Sequence, residues 1–169
     1  MTKSSNSFYT NNELTDIGFK SIGSNVLISR KTSIYSAENI SIGDNVRIDD
    51  FTILSAEGGM IEIHSHIHIA AFCNLMGKGG IIMENFSGLS SRVSLYSATD
   101  DFSGNYLIGP IMEKSCINVI TGKIMLKKFC QVGTNSSVLP NVSLREGAIP
   151  GARSFAKADI EPWEIHLES

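Results

Sequence analysis

Residues 126–160 read LKKFCQ, VGTNSS, VLPNVS, LREGAI, PGARSF and AKADI when they are divided into sixes. Each group opens on an aliphatic or small residue, and these leading positions are Leu126, Val132, Val138, Leu144, Pro150 and Ala156. A period of six matches neither the helical repeat of about 3.6 nor the strand repeat of about 2. It matches a short strand followed by a tight corner, with one inward side chain per side. Three such sides close a triangular coil of about 18 residues, and stacked coils form a parallel β-helix.

The N-terminal half of the chain has the same period. Its leading residues are Ile22, Ile28, Ile34, Ile42, Ile48, Ile63, Ile69 and Leu75. Small or branched residues four places later are expected to fill the corners of the coils: Val26, Thr32, Val46, Thr52, Ser136 and Val142. A β-sandwich with glycine turns would instead place strands about 8–12 residues apart. The sequence therefore predicts an all-β fold, a parallel β-helix of about six coils.

Two segments lack this repeat. Residues 1–21 precede it, and residues 12–19 within them are expected to form a short helix that caps the solenoid. Residues 98–122 show little repeat signal, and a long loop that leaves a compact repeat is usually functional. The count of six also slips at residues 40–42, 57–59 and 85–89. The predicted organisation is a cap (1–21), a β-helix (22–165) with a protruding loop (98–122), and a tail (166–169).

Composition narrows the class of protein. Lysine and arginine number 14 against 17 aspartate and glutamate residues, so no basic surface for nucleic acid is expected. No apolar run approaches the length of about 18 residues that a membrane span needs. Cys73, Cys116 and Cys130 are an odd number without metal-ligand spacing, which fits a reducing cytoplasm better than a disulfide framework. A cytoplasmic domain without a membrane span is the expectation.

The repeats resemble the hexapeptide-repeat acyltransferases. The motif [ILV]-G-x-N-[VS] occurs as IGSNV at 22–26, IGDNV at 42–46 and VGTNS at 132–136, and the chain ends in GARSFAKADIEPW at 151–163. HIAAFCNLMGKGG at 68–80 and FSGLSSRVSLYSATDDFSG at 86–104 are most similar to the branch that acetylates sugars for surface polysaccharides. The resemblance implies a left-handed β-helix and a homotrimer. It also implies acetyl-CoA bound between neighbouring subunits and a sugar acceptor beside the protruding loop.

Acyl transfer from a thioester needs a base for the attacking hydroxyl or amine, and histidine suits that role at neutral pH. The chain has His64, His66, His68 and His166. His68 precedes the leading residue Ile69, so its side chain is expected to point outward, onto the wall where a neighbouring subunit packs. We interpret His68 as the base. The alternatives are that His64 or His66 is the base, or that His68 is a surface or interface histidine without a catalytic role.

The protruding loop supplies the acceptor candidates. In galactoside-type relatives the catalytic histidine follows a V-x-L strand, and here the place after Val93-Ser94-Leu95 falls on Asp100. Asp100 and its neighbour Asp101 are expected to bind sugar hydroxyls or to orient an imidazole across the interface; a solvated turn is the alternative. The further acceptor residues are Tyr96, Asn74, Asn85, Arg92 and Asn105. Turn geometry explains the asparagines equally well, and a surface ion pair explains the arginine.

Coenzyme A is expected along the C-terminal coils. Backbone donors and small side chains for the pantetheine arm would come from Gly133, Ser136, Gly151 and Ala152, and cations for the phosphates from Lys127, Arg153 and Lys157. The family's frequent V-T-K-D motif corresponds here to AKAD at 156–159, in which the lysine stands one place early.

Two other functions compete with this interpretation. His64, His66 and His68 alternate, as zinc ligands of a γ-class carbonic anhydrase would. In one extended strand the outer two stand about 13 Å apart, too far to share an ion, so no metal is expected. The second is a scaffold without catalysis, favoured by Asp100 in place of a loop histidine and by the absence of the family's usual C-terminal tail.

Overall fold

The computed structural model describes residues 7–167, which form a left-handed parallel β-helix with a triangular cross-section. In chain order the first strands are β1 (Ser21–Ile22), β2 (Leu27–Ile28), β3 (Ser33–Tyr35), β4 (Ile40–Ile42), β5 (Val46–Ile48), β6 (Ile53–Ser55), β7 (Ile61–Ile63), β8 (Ile67–Ile69), β9 (Asn74–Met76), β10 (Ile81–Met83), β11 (Gly88–Leu89) and β12 (Ser94–Tyr96). The rest are β13 (Ala98–Asp100), β14 (Val119–Thr121), β15 (Ile124–Leu126), β16 (Gln131–Val132), β17 (Ser137–Val138), β18 (Ser143–Leu144), β19 (Ile149–Pro150), β20 (Phe155–Ala156) and β21 (Ile165–His166).

Every third strand of the coil joins the same sheet, and the sheets are the walls of the prism. The first wall has the order β1-β4-β7-β10-β15-β18, and the third wall has the order β3-β6-β9-β12-β17-β20. The second wall runs β2-β5-β8-β11-β16, and β21 pairs with β19 at its C-terminal end. All pairs within these walls are parallel, which confirms the predicted solenoid of stacked coils.

The coils differ in length at one corner. Ile22 pairs with Ile42 and Ile42 with Ile63, so the early coils take 20 and 21 residues, whereas Leu126 pairs with Leu144 after 18. The extra residues lie at the third corner, between the third wall and the next first-wall strand. They explain the slips at 40–42 and 57–59. The slip predicted at 85–89 is wrong, because Met83 and Leu89 are both buried and keep the sixfold count.

The interior is a stack of aliphatic side chains. Along the second wall Ile28, Ile48, Ile69, Leu89 and Val132 lie above one another and are at most 3% exposed. Burial of each contributes about 1.5–3 kcal/mol. The six predicted corner residues, Val26, Thr32, Val46, Thr52, Ser136 and Val142, are all buried as well.

The corners depend on left-handed backbone at non-glycine residues. At the first corner, between the first and second walls, positive φ falls on Asn25, Asn45, His66, Phe86 and Phe129. At the second corner it falls on Phe51, Phe72, Arg92, Asn135 and Arg153. The glycines of the IGSN-type motifs serve another purpose. A Cβ at Gly43 would come within 2.8 Å of the His64 carbonyl carbon, so these glycines allow close contact between coils.

The N-terminal end is capped by α1 (Asn11–Ile17). Thr10 and Glu13 form a reciprocal capping box at its start, and Gly18, at φ 82°, ends it. The buried Leu14 covers the open end of the core. The predicted tail from residue 166 is wrong at its start, because His166 pairs with Pro150 in β21. Residues 1–6 of the predicted cap and 168–169 of the tail lie outside the described residues.

Candidate active site

The predicted protruding loop is a folded excursion from the third corner. Its ends, β13 and β14, pair antiparallel, and a short 3₁₀ helix spans Lys114–Cys116. Its base is closed where the Gly122 amide donates to the Ser97 carbonyl at 2.9 Å. The Ser97 hydroxyl also accepts from the Gly79 amide at 2.8 Å. These bonds attach the excursion, which we call the hairpin segment (residues 98–122), firmly to the coil below it.

His68 lies on the outer face of the second wall. Ile67 and Ile69 on either side of it are buried, so strand alternation turns the imidazole outward, as predicted, with 57% of its side chain exposed. Its Nε2 lies 2.8 Å from Asp49 Oδ2, one coil below, and Arg47 Nε donates to Asp49 Oδ1 at 2.7 Å. Partial burial raises the pKa of Asp49, but the hydrogen bonds from His68 and Arg47 outweigh it and hold the pKa below its usual value.

The other two histidines of the alternating run occupy the corner before β8. Positive φ at His66 breaks the extended run, and its ring stacks on Phe86 with centroids 4.9 Å apart. Across residues 7–167, no three His, Cys, Asp or Glu side chains are grouped closely enough to hold a metal ion.

Asp100 and His68 lie on opposite sides of the same chain. His68 projects from the second wall, whereas Asp100 lies in β13 beside the third corner, which is the corner opposite that wall. The fold therefore separates the two catalytic candidates within one subunit. A single site that uses both must take them from two copies of the chain.

Asp101 serves the hairpin segment itself. Its Oδ2 accepts from Asn118 Nδ2 and its Oδ1 from the Ser103 amide, both at 2.8 Å. The hydrogen bond from Asn118, followed by that from Ser103, lowers the pKa of Asp101. Asn105 bonds to the Ser103 hydroxyl in the same turn. These contacts give both residues a local structural task besides any contact with an acceptor.

Of the remaining acceptor candidates, Asn85 borders a cavity of about 330 Å³ and Tyr96 borders a larger one. That cavity, of about 620 Å³, lies between the third wall and the hairpin segment. Asn74 is in strand β9, not at a corner as expected, and bonds to the Ser94 hydroxyl. Asn85 is a corner residue whose side chain accepts from the Ser65 amide. Arg92 stacks over Phe72 at 5.3 Å and forms no ion pair with a carboxylate among residues 7–167.

The predicted pantetheine track is partly wrong. Ser136 is 1% exposed and donates to the Gly151 carbonyl inside the solenoid, so its hydroxyl cannot reach a ligand on the surface. At Gly133 a Cβ would lie 2.4 Å from the Ala152 amide nitrogen, so close packing of coils explains this glycine. Gly151 is buried, and its amide donates to His166. Ala152 remains exposed.

The predicted phosphate cations differ in their surroundings. Lys127 Nζ lies 2.7 Å from Glu84 Oε1, so its charge is already compensated. Arg153 and Lys157 are exposed, and neither forms an ion pair within the described part of the chain. These two, with Ala152, are the exposed members of the predicted set, and Lys127 and Gly133 are half-buried.

Cys73 and Cys130, the two buried cysteines, do not supply a nucleophile at a surface site, whereas Cys116 is exposed. Burial raises the pKa of Cys73 and of Cys130 to about 11, so both thiols stay protonated at neutral pH.

Asp49 and the cavity residues Lys78 and Glu57 were not predicted from the sequence. For Asp49 the repeat gave no signal, because the register places Arg47, and not Asp49, opposite His68. For the cavity no local pattern was available, because its wall comes from successive coils and from the hairpin segment.

The described residues include no helix of the length and apolarity that crossing a membrane requires.

Comparison with known proteins gives close relatives. The dTDP-4-amino-4,6-dideoxy-D-glucose acyltransferase of Escherichia coli is 44% identical over 155 residues, which cover 92% of this chain and 81% of that protein. The crystal structure of AntD, an N-acyltransferase from Bacillus cereus, in complex with dTDP and 3-hydroxybutyryl-CoA is 51% identical. It superposes with a TM-score of 0.91 and covers 95% of this chain and 84% of AntD.

A galactoside acetyltransferase in complex with coenzyme A shares only 15% identity at a TM-score of 0.54, covering 89% of this chain and 67% of its own, and shows the fold alone. No family model matches the sequence. The match to the E. coli enzyme covers 92% of this chain, and AntD superposes on 95% of it. This chain therefore belongs to the hexapeptide-repeat acyltransferases and is an acyl-CoA-dependent enzyme that acylates a sugar.

Proposed function

We propose that the acceptor is a dTDP-linked 4-amino-4,6-dideoxyglucose and that the enzyme acylates its amino group. The observation that carries this proposal is the 44% identity, over 92% of the chain, to an enzyme named for that acceptor. A second AntD structure, 50% identical, contains dTDP-4-amino-4,6-dideoxyglucose together with coenzyme A. The acyl donor is acetyl-CoA or a short-chain relative such as the 3-hydroxybutyryl-CoA bound by AntD.

The reaction joins the sugar nitrogen to the acyl carbon. The amine attacks the thioester carbonyl, a tetrahedral intermediate forms, and the C–S bond breaks to leave an amide and coenzyme A. One proton leaves the nitrogen and one arrives at the sulfur, so a group that accepts the first proton accelerates the step.

His68 is our first candidate for that group. Because its Nε2 faces the Asp49 carboxylate, the proton on the neutral ring resides at Nε2 and the Nδ1 lone pair is available to an amine. Asp49 is then a positioning residue that fixes the tautomer and the orientation of the ring. Arg47, bonded to the other carboxylate oxygen, holds Asp49 in place.

Asp100 is the second candidate. AntD structures carry replacements of a serine and of an aspartate that are ten residues apart. In this chain Ser90 and Asp100 have that spacing, as do Ser91 and Asp101. Asp101 is held by Asn118 and Ser103, so Asp100 is the freer carboxylate for an ammonium or a sugar hydroxyl.

We further propose a homotrimer with one site at each subunit interface. The opposed positions of His68 and Asp100 within a subunit support it, since threefold packing of flat walls brings one wall against a neighbour's corner. Ala152, Arg153 and Lys157 are the exposed residues that we assign to coenzyme A. A cytoplasmic location and a role in surface-polysaccharide synthesis complete the proposal, since acyl-CoA and nucleotide sugars are cytoplasmic substrates.

Thermal unfolding and thiol release test this function together. A ligand that prefers the folded state raises the melting temperature, so coenzyme A and dTDP are each expected to raise it at millimolar concentration. Thiol release from acetyl-CoA should then require the dTDP-amino sugar. Release with a free hydroxyl sugar but none with the amino sugar nucleotide would overturn the proposed acceptor. The absence of a shift with coenzyme A would overturn the donor.

A further inference from the structure

The cavity between the third wall and the hairpin segment is walled by three successive coils. Ser55, Met76 and Tyr96 are register partners at the ends of β6, β9 and β12, and they form one side. Glu57 and Lys78 come from the third corner just beyond those strands, and Pro110 closes the space from the hairpin segment. At about 620 Å³ the cavity is large enough for a nucleotide, and its surface combines apolar and polar groups.

Lys78 is the cation among the residues that line this cavity. It is exposed and forms no ion pair with any residue between 7 and 167. Its stem runs beside Gly58, where an added Cβ would lie 3.9 Å from Lys78 Cγ. The lack of a side chain at Gly58 therefore leaves the space next to the lysine open.

The same corner also offers backbone donors. The amides of Gly59, Gly77, Gly79 and Gly80 all donate within the protein. The amides of Gly58 and Lys78 have no protein acceptor among the described residues. Two unused amides beside the Lys78 ammonium form a cluster of donors that suits phosphate oxygens.

The far side of the cavity is apolar. Tyr96 is 38% exposed, and its ring lies next to Met76 in the register of the third wall. Pro110 faces the space from the hairpin segment. An aromatic ring and two apolar side chains offer a flat surface against which a nucleobase packs.

We infer that this cavity binds the nucleoside diphosphate of the acceptor, with Lys78 and the free corner amides on the diphosphate and Tyr96 against the base. The inference rests on the proposed function, since it needs a nucleotide-linked acceptor. Glu57, on the same rim, suits the hydroxyls or the ammonium group of the attached sugar. The hairpin segment thus serves as one wall of the acceptor site.

Calorimetric titration with dTDP, thymidine and coenzyme A tests the assignment. We compare the parent with Lys78→Gln, Tyr96→Ala and the control Lys20→Gln, which removes an exposed charge from the N-terminal end of the solenoid. Lys78→Gln is expected to weaken dTDP binding about 10–100-fold, the value of one charged hydrogen bond or more, and to leave thymidine and coenzyme A unchanged. Tyr96→Ala should weaken dTDP and thymidine alike, and Lys20→Gln should match the parent.

Each result supports or overturns the inference. If the parent binds dTDP and Lys78→Gln binds it within twofold, the diphosphate lies elsewhere while the proposed acceptor stands. If the parent does not bind dTDP but binds coenzyme A, the nucleotide-linked acceptor is wrong and the inference fails with it. Unchanged coenzyme A affinity in the variants shows that they are folded.

Discussion

Strand alternation and coil stacking together decide what His68 can do. The alternation of β8 turns the imidazole outward, and the stacking of coils places Asp49 beneath it. The outward direction was predictable from the leading residue Ile69. The partner was not, because Asp49 is 19 residues away in sequence and its contact with the ring depends on the length of the intervening coil.

We expect His68→Ala to lower kcat about 10²–10⁴-fold, the range for removal of a general base. Asp49→Asn should lower kcat by less and leave KM for acyl-CoA unchanged, because it disturbs the orientation of the ring and not the donor site. Asp49→Glu, which keeps the charge, should recover part of the loss. Steady-state kinetics with thiol release measures all three. Wild-type kcat in His68→Ala would leave Asp100 as the candidate base.

At the scale of elements, the hairpin segment and an aromatic column stand out. The hairpin segment is held at its base by Ser97 and within its turn by Asp101. The aromatic column follows the first corner, where the rings of His66, Phe86, Phe129 and Trp163 stack in order. Gly147 lies in the same corner, and a Cβ there would fall 2.2 Å from the Trp163 ring. A side chain at position 147 would therefore collide with the Trp163 ring, which explains the glycine at this position of the first corner.

The turn of the hairpin segment should loosen in acid. The pKa of Asp101 is lowered in the folded protein, so its stabilising contribution is present above the unfolded pKa and is lost as pH falls through the folded value. Amide exchange at Ser103 should therefore quicken relative to the intrinsic rate below about pH 4. In Asp101→Asn the protection should be weak at every pH. Protection of Ser103 that does not change between pH 3 and pH 6 in the parent would contradict this role.

Trp163→Ala should destabilise the last coil. The ring is 68% exposed, so the loss is mainly that of its stacking on Phe129, about 0.5–1.5 kcal/mol in the free energy of unfolding. Phe102→Ala is the matched control, because that ring is 71% exposed on the hairpin segment and stacks on no aromatic ring among residues 7–167. Chemical denaturation compares the two. Equal effects would show that the column adds no stability.

At the scale of the whole molecule, the triangular section separates the two catalytic candidates. Each wall faces the corner opposite, so the second wall with His68 and the hairpin segment at the third corner cannot meet within one subunit. Assembly thus becomes a condition for activity if both residues act. Within one copy of residues 7–167, the two halves of such a site lie on opposite sides of the solenoid.

Mixed trimers test this arrangement. His68→Ala and Asp100→Asn should each be nearly inactive alone. When the two are co-expressed in equal amounts, about one interface in four combines an intact His68 with an intact Asp100, so activity should return to about a quarter of the wild-type value. Thiol release from the purified mixture measures it, and trimers of each variant mixed after folding are the control. A mixture as inactive as its parents would contradict a shared site.

The sequence by itself determined the solenoid, the inward residues and the outward direction of His68. These follow from a local period of six, because each coil repeats the same steric solution over a few neighbouring residues. It also located the hairpin segment, since a break in a strict repeat is visible without any contact being known. Ser136 shows where the two expectations conflicted. Its position four places after a leading residue predicted a place inside the solenoid, whereas the proposed pantetheine contact required a place on the surface. The structure buries it.

Only the tertiary structure decided which side chains meet. The Asp49 contact with His68, the pairing of Lys127 with Glu84 across 43 residues, and the cavity around Lys78 all join different coils. Coil lengths of 18, 20 or 21 residues set which positions stack, and those lengths depend on the third corner, whose extra residues show no period. The register between coils depends on residues that are far apart in sequence. The contacts of the site could therefore be read from the folded structure but not from the local repeat.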